Sequence, residues 1–248
     1  MNADDFGISK QVTSEIERMI DMGAVSSTTV MANGTCLDEV KRFAVTHPEV
    51  SFGVHLCLSE FDSITKSDAL RQTGLTDELG RFIHKSVFHL KDYNNTVLRR
   101  AIREELNAQI DVVNSLGFPV SHADSHHHVH TIYPLKEIFA EVLNKRCIKR
   151  LRLGGDFLSM RMKAHVGLWV HRIKLNKFYR ENFITTNGFY GYAEFLQAGC
   201  PINDGAVVEL MCHPGHQGKQ YQNEMVFVEN KSVLADKSIS ILSYNELY

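Results

Sequence analysis

Residues 51–58 read SFGVHLCL, with an apolar side chain at every second position. Phe52, Val54, Leu56 and Leu58 share one face, and Ser51, Gly53, His55 and Cys57 share the other. That period of two belongs to an extended strand. It places an imidazole, His55, toward the strand's C-terminal end on the face away from the apolar residues. Upstream, Ser9 can cap a helix whose Val12, Ile16, Met19 and Ile20 form one stripe ending at Gly23, and a β-rich stretch covers 25–33. Residues 41–46 are a short helical candidate. Downstream, 96–116 is a long amphipathic helix (Val97, Ala101, Leu106, Ile110, Val113) closed by Gly117. A strand over 120–126, a helix over 134–145 and a strand over 147–153 follow. A helical region over about 159–180 and strand candidates at 183–187, 206–212 and 238–243 complete the series.

Strand followed by helix, repeated, predicts an α/β fold with parallel strands. Seven to eight such units in 248 residues favour a (β/α) barrel, distorted or incomplete, as a single domain over 1–248. The runner-up is a doubly wound open sheet. The first βα turn carries neither G-x-G-x-x-G nor a P-loop, so a nucleotide-binding version of that sheet has no support. No apolar run approaches the ~20 residues that span a bilayer. A net charge of −2 leaves no broad basic field for nucleic acid. MNADDFG lacks the regions of a signal peptide, and five cysteines without a C-x-x-C pair read as reduced thiols of a cytoplasmic protein.

In such barrels the chemistry sits at the C-terminal ends of the strands, and the unusual residues fall there. Asp4 and Asp5 precede the first helix. SHADSHHHVH, residues 121–130, holds five of the chain's 13 histidines. Period two puts His122, Asp124 and His126 on one face, with His126 ending the strand. His213 follows the apolar stretch AVVELMC and begins H-P-G. Taken singly, an Asp pair is usually a cap or a solvated turn, and a lone His is usually a satisfied core residue. Together, separate segments deliver carboxylates and imidazoles to one rim. A carboxylate and two imidazoles around a divalent ion leave positions open for water and substrate. A second carboxylate can then take a proton from water, and a histidine can supply one to a leaving group. That inventory fits metal-assisted hydrolysis of an amide or ester. No G-x-S-x-G elbow suggests a serine hydrolase.

NADDFG, VSSTTVMANG, GVHLCL, SHADSHHHVH and ELMCHPG, in this order from residue 2 to about 216, resemble the YdjC-like carbohydrate deacetylases, the family that includes chitooligosaccharide deacetylase. The resemblance implies a barrel-like deacetylase fold, a homodimer, and removal of acetyl groups from N-acetylated sugars by attack of metal-bound water. It implies Asp5, His55 and His126 as ligands of one divalent ion, usually magnesium. It makes Asp4 the general base and His213 the general acid or carbonyl stabiliser. By looser analogy with other sugar deacetylases, Arg152 orients a catalytic carboxylate. His122 and Asp124 then become groups that fix ring orientation. His127 points the other way, and His128 and His130 line the mouth or are solvated. Two imidazoles with a carboxylate suit zinc or another transition metal better than magnesium, which prefers oxygen ligands. Family members carry apolar residues before NADDFG, so the first strand is expected here as a truncated stub.

Two other readings stay open. One keeps the metal on a phosphoesterase or another amidohydrolase; the other is a non-catalytic sugar- or metal-binding relative. Tyr133, Trp169, Phe189 and Tyr190 are candidates for stacking on a sugar, although each is more often core or interface.

Overall fold

The computed structural model describes residues 1–155, 166–200, 202–218, 221, 225, 234 and 239–248. In chain order its elements are β1 (Asn2–Phe6), α1 (Lys10–Asp21), β2 (Ser27–Val30), α2 (Leu37–Thr46), β3 (Ser51–Leu56), α3 (Asp68–Gln72), α4 (Thr96–Asn114), β4 (Ala123–Ser125), α5 (Lys136–Lys145), α6 (Val166–Asn182), β5 (Gly188–Gly191), α7 (Tyr192–Gln197) and β6 (Val208–Cys212). The strands form one parallel sheet in the order β4-β3-β2-β1-β6-β5, curled as a half-barrel. The expected seven to eight strands are six among the described residues. The segment expected as a strand over 147–153 makes only single parallel bridges, Ala123 to Leu151 and Arg150 to Ile184. Backbone hydrogen bonds tie it to Ala123 on one side and to Ile184 on the other. The strand expected over 183–187 begins later, at Gly188. Part of the helix expected over 159–180, residues 159–165, lies outside the described residues.

The first strand is not a stub. NADDF is itself β1, five buried residues paired with β2 on one side and β6 on the other. Asp4 and Asp5 therefore lie within a strand rather than in the turn before α1. A bulge interrupts their register. Ala3 pairs with Thr28 and Phe6 with Val30, so β1 advances three residues while β2 advances two. The extra residue is accommodated at Asp5, whose φ of 70° is left-handed. Bulges re-aim side chains beside active sites, and left-handed backbone at a non-glycine costs about 1–3 kcal/mol, strain that clusters at functional sites. Here it turns two consecutive carboxylates into the concave side of the sheet.

The two faces of the sheet are chemically opposite. Phe52, Val54 and Leu56 bury themselves in the outer core, where Phe52 packs on Phe6 and Phe118 at ring separations of 6.3 and 5.0 Å. Helix α4 covers that side with Leu98, Ala101, Ile102, Leu106, Ile110 and Val113. The inward face carries polar groups, and they are paired. His122 Nε2 lies 3.0 Å from Asn2 Oδ1, and Asn2 Nδ2 donates to Asp4 and Thr29. Gly53 makes room for this layer: a Cβ there would sit 2.6 Å from the His122 ring.

The C-terminal segment closes the opposite, N-terminal end of the sheet. The Tyr244 N–H donates to Ser27 Oγ at 3.1 Å and the Asn245 N–H to Ser51 Oγ at 2.8 Å, at the first residues of β2 and β3. Arg150 Nε donates to the Leu247 carbonyl at 2.9 Å. Residues 239–243, within the stretch expected as a last strand, are irregular; residue 238 lies outside the described residues. No helix among the described residues is long and apolar enough to cross a membrane.

Candidate active site

Asp5 is the hub of the rim. Its Oδ1 lies 3.1 Å from His55 Nε2 on β3 and 2.9 Å from His126 Nδ1, just after β4. One carboxylate oxygen and two imidazole nitrogens from three segments thus converge, all three residues buried. His55 is fixed from behind: its Nδ1 meets Asp124 Oδ1 at 2.7 Å, and Asp124 Oδ2 accepts from Thr29 at 3.0 Å. That carboxylate–imidazole arrangement sets ring orientation and tautomer for a metal ligand. Burial lowers the affinity of His55 for a proton, but the Asp124 and Asp5 carboxylates outweigh it and hold the ring well above the ordinary histidine pKa. Burial likewise acts to raise Asp5, and its imidazole neighbours reverse the effect, leaving it well below the usual carboxylate range.

Asp4 answers to a different partner. Arg152, fully buried, grips it with Nη2 on Oδ1 at 2.6 Å and Nη1 on Oδ2 at 2.7 Å. The same guanidinium reaches Asp124 Oδ2 at 2.7 Å and Glu209 Oε1 at 2.7–2.8 Å. Arg152 thus gathers three buried carboxylates, and its planar fork matches that task. Burial would raise the Asp4 pKa; the guanidinium overrides it and keeps Asp4 ionised, well below its ordinary value. Burial raises Glu209, which takes a short hydrogen bond from the Tyr244 hydroxyl. The Tyr244 ring stacks on His122 at 3.7 Å.

The structure brings Asp4, Asp5, His55, Asp124, His126 and Arg152 into one connected cluster, and His213 lines the same pocket. His122 shares the inward face but lies in the layer below, tied to Asn2 and Ser121. His126 does not end a strand; it opens a tight turn, His126–Thr131, in which His127 and His128 are left-handed, with φ of 51° and 55°. That turn points His127 at Ser59 and places His128 in the pocket wall. His130 is buried in the core, where burial keeps its ring neutral, so it is not solvated. His216 and Glu60 escaped sequence reasoning. His216 Nε2 approaches Asp5 Oδ2 at 3.0 Å, off the hydrogen-bonding direction. Glu60 Oε2 lies 3.3 Å from His126 Nε2. The signal for His216 was the second imidazole of H-P-G-H, one tight turn beyond His213; Glu60 had none.

The pocket is a cavity of about 770 Å³ lined by Asp4, Asp5, His55, His126, His213 and Tyr221, among others. Its size falls within the range of small-molecule sites. Of the aromatic candidates, Phe189 is buried under the Arg152 guanidinium, 4.6 Å from its centroid, and Tyr133 stacks on His171. Tyr190 packs on Phe195, and the Trp169 side chain lies outside the described residues. Phe61, Phe88 and Tyr221 are the aromatic side chains lining the pocket among the described residues.

Comparison with known proteins places this geometry in a family. A carbohydrate deacetylase of Geobacillus stearothermophilus is 29% identical over 100% of this chain and 97% of its own length. One of Listeria welshimeri is 30% identical, over 99% and 91% respectively. The crystal structure of a proposed cellobiose-phosphate cleavage protein from Enterococcus faecalis V583 superposes with a TM-score of 0.76 at 23% identity, over 99% of this chain and 97% of that one, a likeness of fold. The family described as YdjC-like protein matches residues 1–239. The chain therefore belongs to the YdjC-like family.

Proposed function

We propose that the chain is a metal-dependent hydrolase that removes acetyl groups from N-acetylated sugars of the chitooligosaccharide type. The observation that carries this reading is the convergence of Asp5, His55 and His126 beside Asp4, whose two oxygens are both held by Arg152. The full-length relatives named carbohydrate deacetylase support the same class. The donor set fits a divalent cation, because His55 is backed by Asp124 as a ligating imidazole would be. Its nitrogen content favours zinc, cobalt, nickel or iron, with magnesium, which the resemblance implies, binding more weakly. When bound, such an ion polarises a carbonyl oxygen and lowers the pKa of water.

The chain's own groups divide the remaining work. Asp4 stays ionised under Arg152 and accepts a proton as water adds to the acetyl carbon. His213, on the wall of the same pocket, hands a proton to the sugar nitrogen as the C–N bond breaks, giving acetate and a free amine. Asp124 holds His55 in place, and His122 fills the layer beneath. Among the described residues lining the pocket, Lys85 is the one lysine or arginine, which weighs against a phosphoesterase. The homodimer and a cytoplasmic setting go with this reading, supported by the resemblance and by five cysteines with no C-x-x-C pair among them. The bridged segment around Arg150 and Leu151 serves in it as a seventh, shortest stave of a distorted barrel.

The test is acetate release from N,N′-diacetylchitobiose by the chelated full chain, with single divalent metals restored. Release that returns with metal is the expected result. No release with any metal, while calorimetry shows an ion bound, would instead favour a non-catalytic binding protein.

A further inference from the structure

Glu60, His126 and His127 form a second group at the mouth of the pocket, beside the cluster around Asp5. His126 stands between the two. Its Nδ1 faces Asp5 Oδ1 at 2.9 Å, and its Nε2 faces Glu60 Oε2 at 3.3 Å. His127 Nδ1 lies 2.9 Å from Ser59 Oγ, and its Nε2 lies 3.8 Å from the same Glu60 oxygen.

When His127 donates its Nδ1–H to Ser59, Nε2 carries a lone pair and not a proton. A lone pair and a carboxylate oxygen then face each other at 3.8 Å with no hydrogen between them. Two acceptors so placed repel unless a cation lies between. A ligating imidazole is commonly held in this manner, its far nitrogen donating to a neighbouring oxygen. The backbone points the same way. His127 and His128 are consecutive left-handed non-glycine residues, each costing about 1–3 kcal/mol, and this turn is what brings the His127 ring round to Glu60.

We propose that Glu60, His126 and His127 hold a second divalent transition-metal ion, with the His126 ring, its N–H proton released to solvent to give imidazolate, bridging it to the ion of the Asp5 site. The sharing of His126 rests on the function proposed above; the Glu60–His127 pair does not. One carboxylate and two imidazoles again select zinc, copper, nickel or cobalt over magnesium or calcium. His84 Nδ1, 3.9 Å from Glu60 Oε1, adds a further imidazole on the solvent side.

The probe is metal alone. The full chain, stripped with chelator and then dialysed, is titrated with Zn²⁺ by calorimetry, and bound zinc is measured by elemental analysis. Two ions per chain are expected. Glu60→Gln and His127→Asn should each bind one, and Asp5→Asn should also bind one, through the other site. Circular dichroism checks that each variant folds; His127→Gln stands in if His127→Asn does not. Two equivalents of Cu²⁺ provide an independent readout, since ions bridged by one imidazole couple magnetically and lose most of their paramagnetic resonance signal. The proposal is overturned by one ion per chain that Glu60→Gln leaves unchanged, a result that spares the Asp5 site. Two ions that survive both Glu60→Gln and His127→Asn would also overturn it. Two bound copper ions that keep their full paramagnetic resonance signal would count instead against the shared ring.

Discussion

Arg152 holds Asp4 by two parallel hydrogen bonds of 2.6 and 2.7 Å, while Asp5, the next residue in the chain, has no contact with that guanidinium in the network described and faces the imidazoles. The bulge in β1 separates the two carboxylates into different electrostatic settings. Removing the guanidinium leaves Asp4, Asp124 and Glu209 buried together without a counter-charge. Arg152→Met should therefore cost about 3–5 kcal/mol in stability, the scale for breaking a buried ion pair from one side. Urea unfolding checks it. Arg152→Lys keeps the charge but loses the fork, and should fold better than Arg152→Met while remaining well below wild type in turnover.

The polar interior is packed as tightly as the apolar core. Gly53→Ala would set a methyl group 2.6 Å from a His122 ring that cannot easily move, because Tyr244 stacks on it and Asn2 and Ser121 hold its nitrogens. A loss of about 1–3 kcal/mol is expected from overpacking. Thermal unfolding of the variant measures it; an unchanged midpoint would show that the ring yields.

Acid should unfold the metal-free chain in part through Asp4. Its folded pKa lies below the unfolded value, so the unfolded state binds more protons between the two. The stability Asp4 contributes is present above an unfolded pKa of about 3.9 and is lost as pH falls toward the folded value. Unfolding free energies measured from pH 6 down to pH 3 should fall more steeply for wild type than for Asp4→Asn. Parallel curves would mean that Arg152 does not perturb Asp4 in solution.

Much of this arrangement was legible in the sequence because alternation fixes a side chain's face. SFGVHL gave both the apolar outer face and an inward His55, and SHADS gave the inward Asp124, whereas His126 reaches the site from the turn after β4 and not by alternation. The bulge was not legible: nothing in NADDF says that two consecutive aspartates will share a face, since plain alternation puts them on opposite ones. The full set of partners of Arg152 was hidden for another reason. Asp4 and Asp124 were singled out and Arg152 was expected to orient a catalytic carboxylate, but Glu209, distant in sequence, was not named, although it stands as a charge inside the apolar run VVELM. The strand expected over 183–187 was displaced because boundaries depend on neighbours, here β6, that composition does not reveal. Residues 238–243 look β-like locally, but the described part of that stretch crosses the end of the sheet instead of joining it.

The claim on which the rest depends is the division of labour between Asp4 and Asp5. It is tested most directly by measuring bound zinc and acetate release from N,N′-diacetylchitobiose side by side for wild type, Asp4→Asn and Asp5→Asn. Asp4→Asn should keep zinc at the Asp5 site and lose about 10²–10⁴-fold in acetate release, the range for removing a general base. Asp5→Asn should lose both that ion and the activity. Wild-type turnover by Asp4→Asn, or zinc retained at that site by Asp5→Asn, would contradict the assignment.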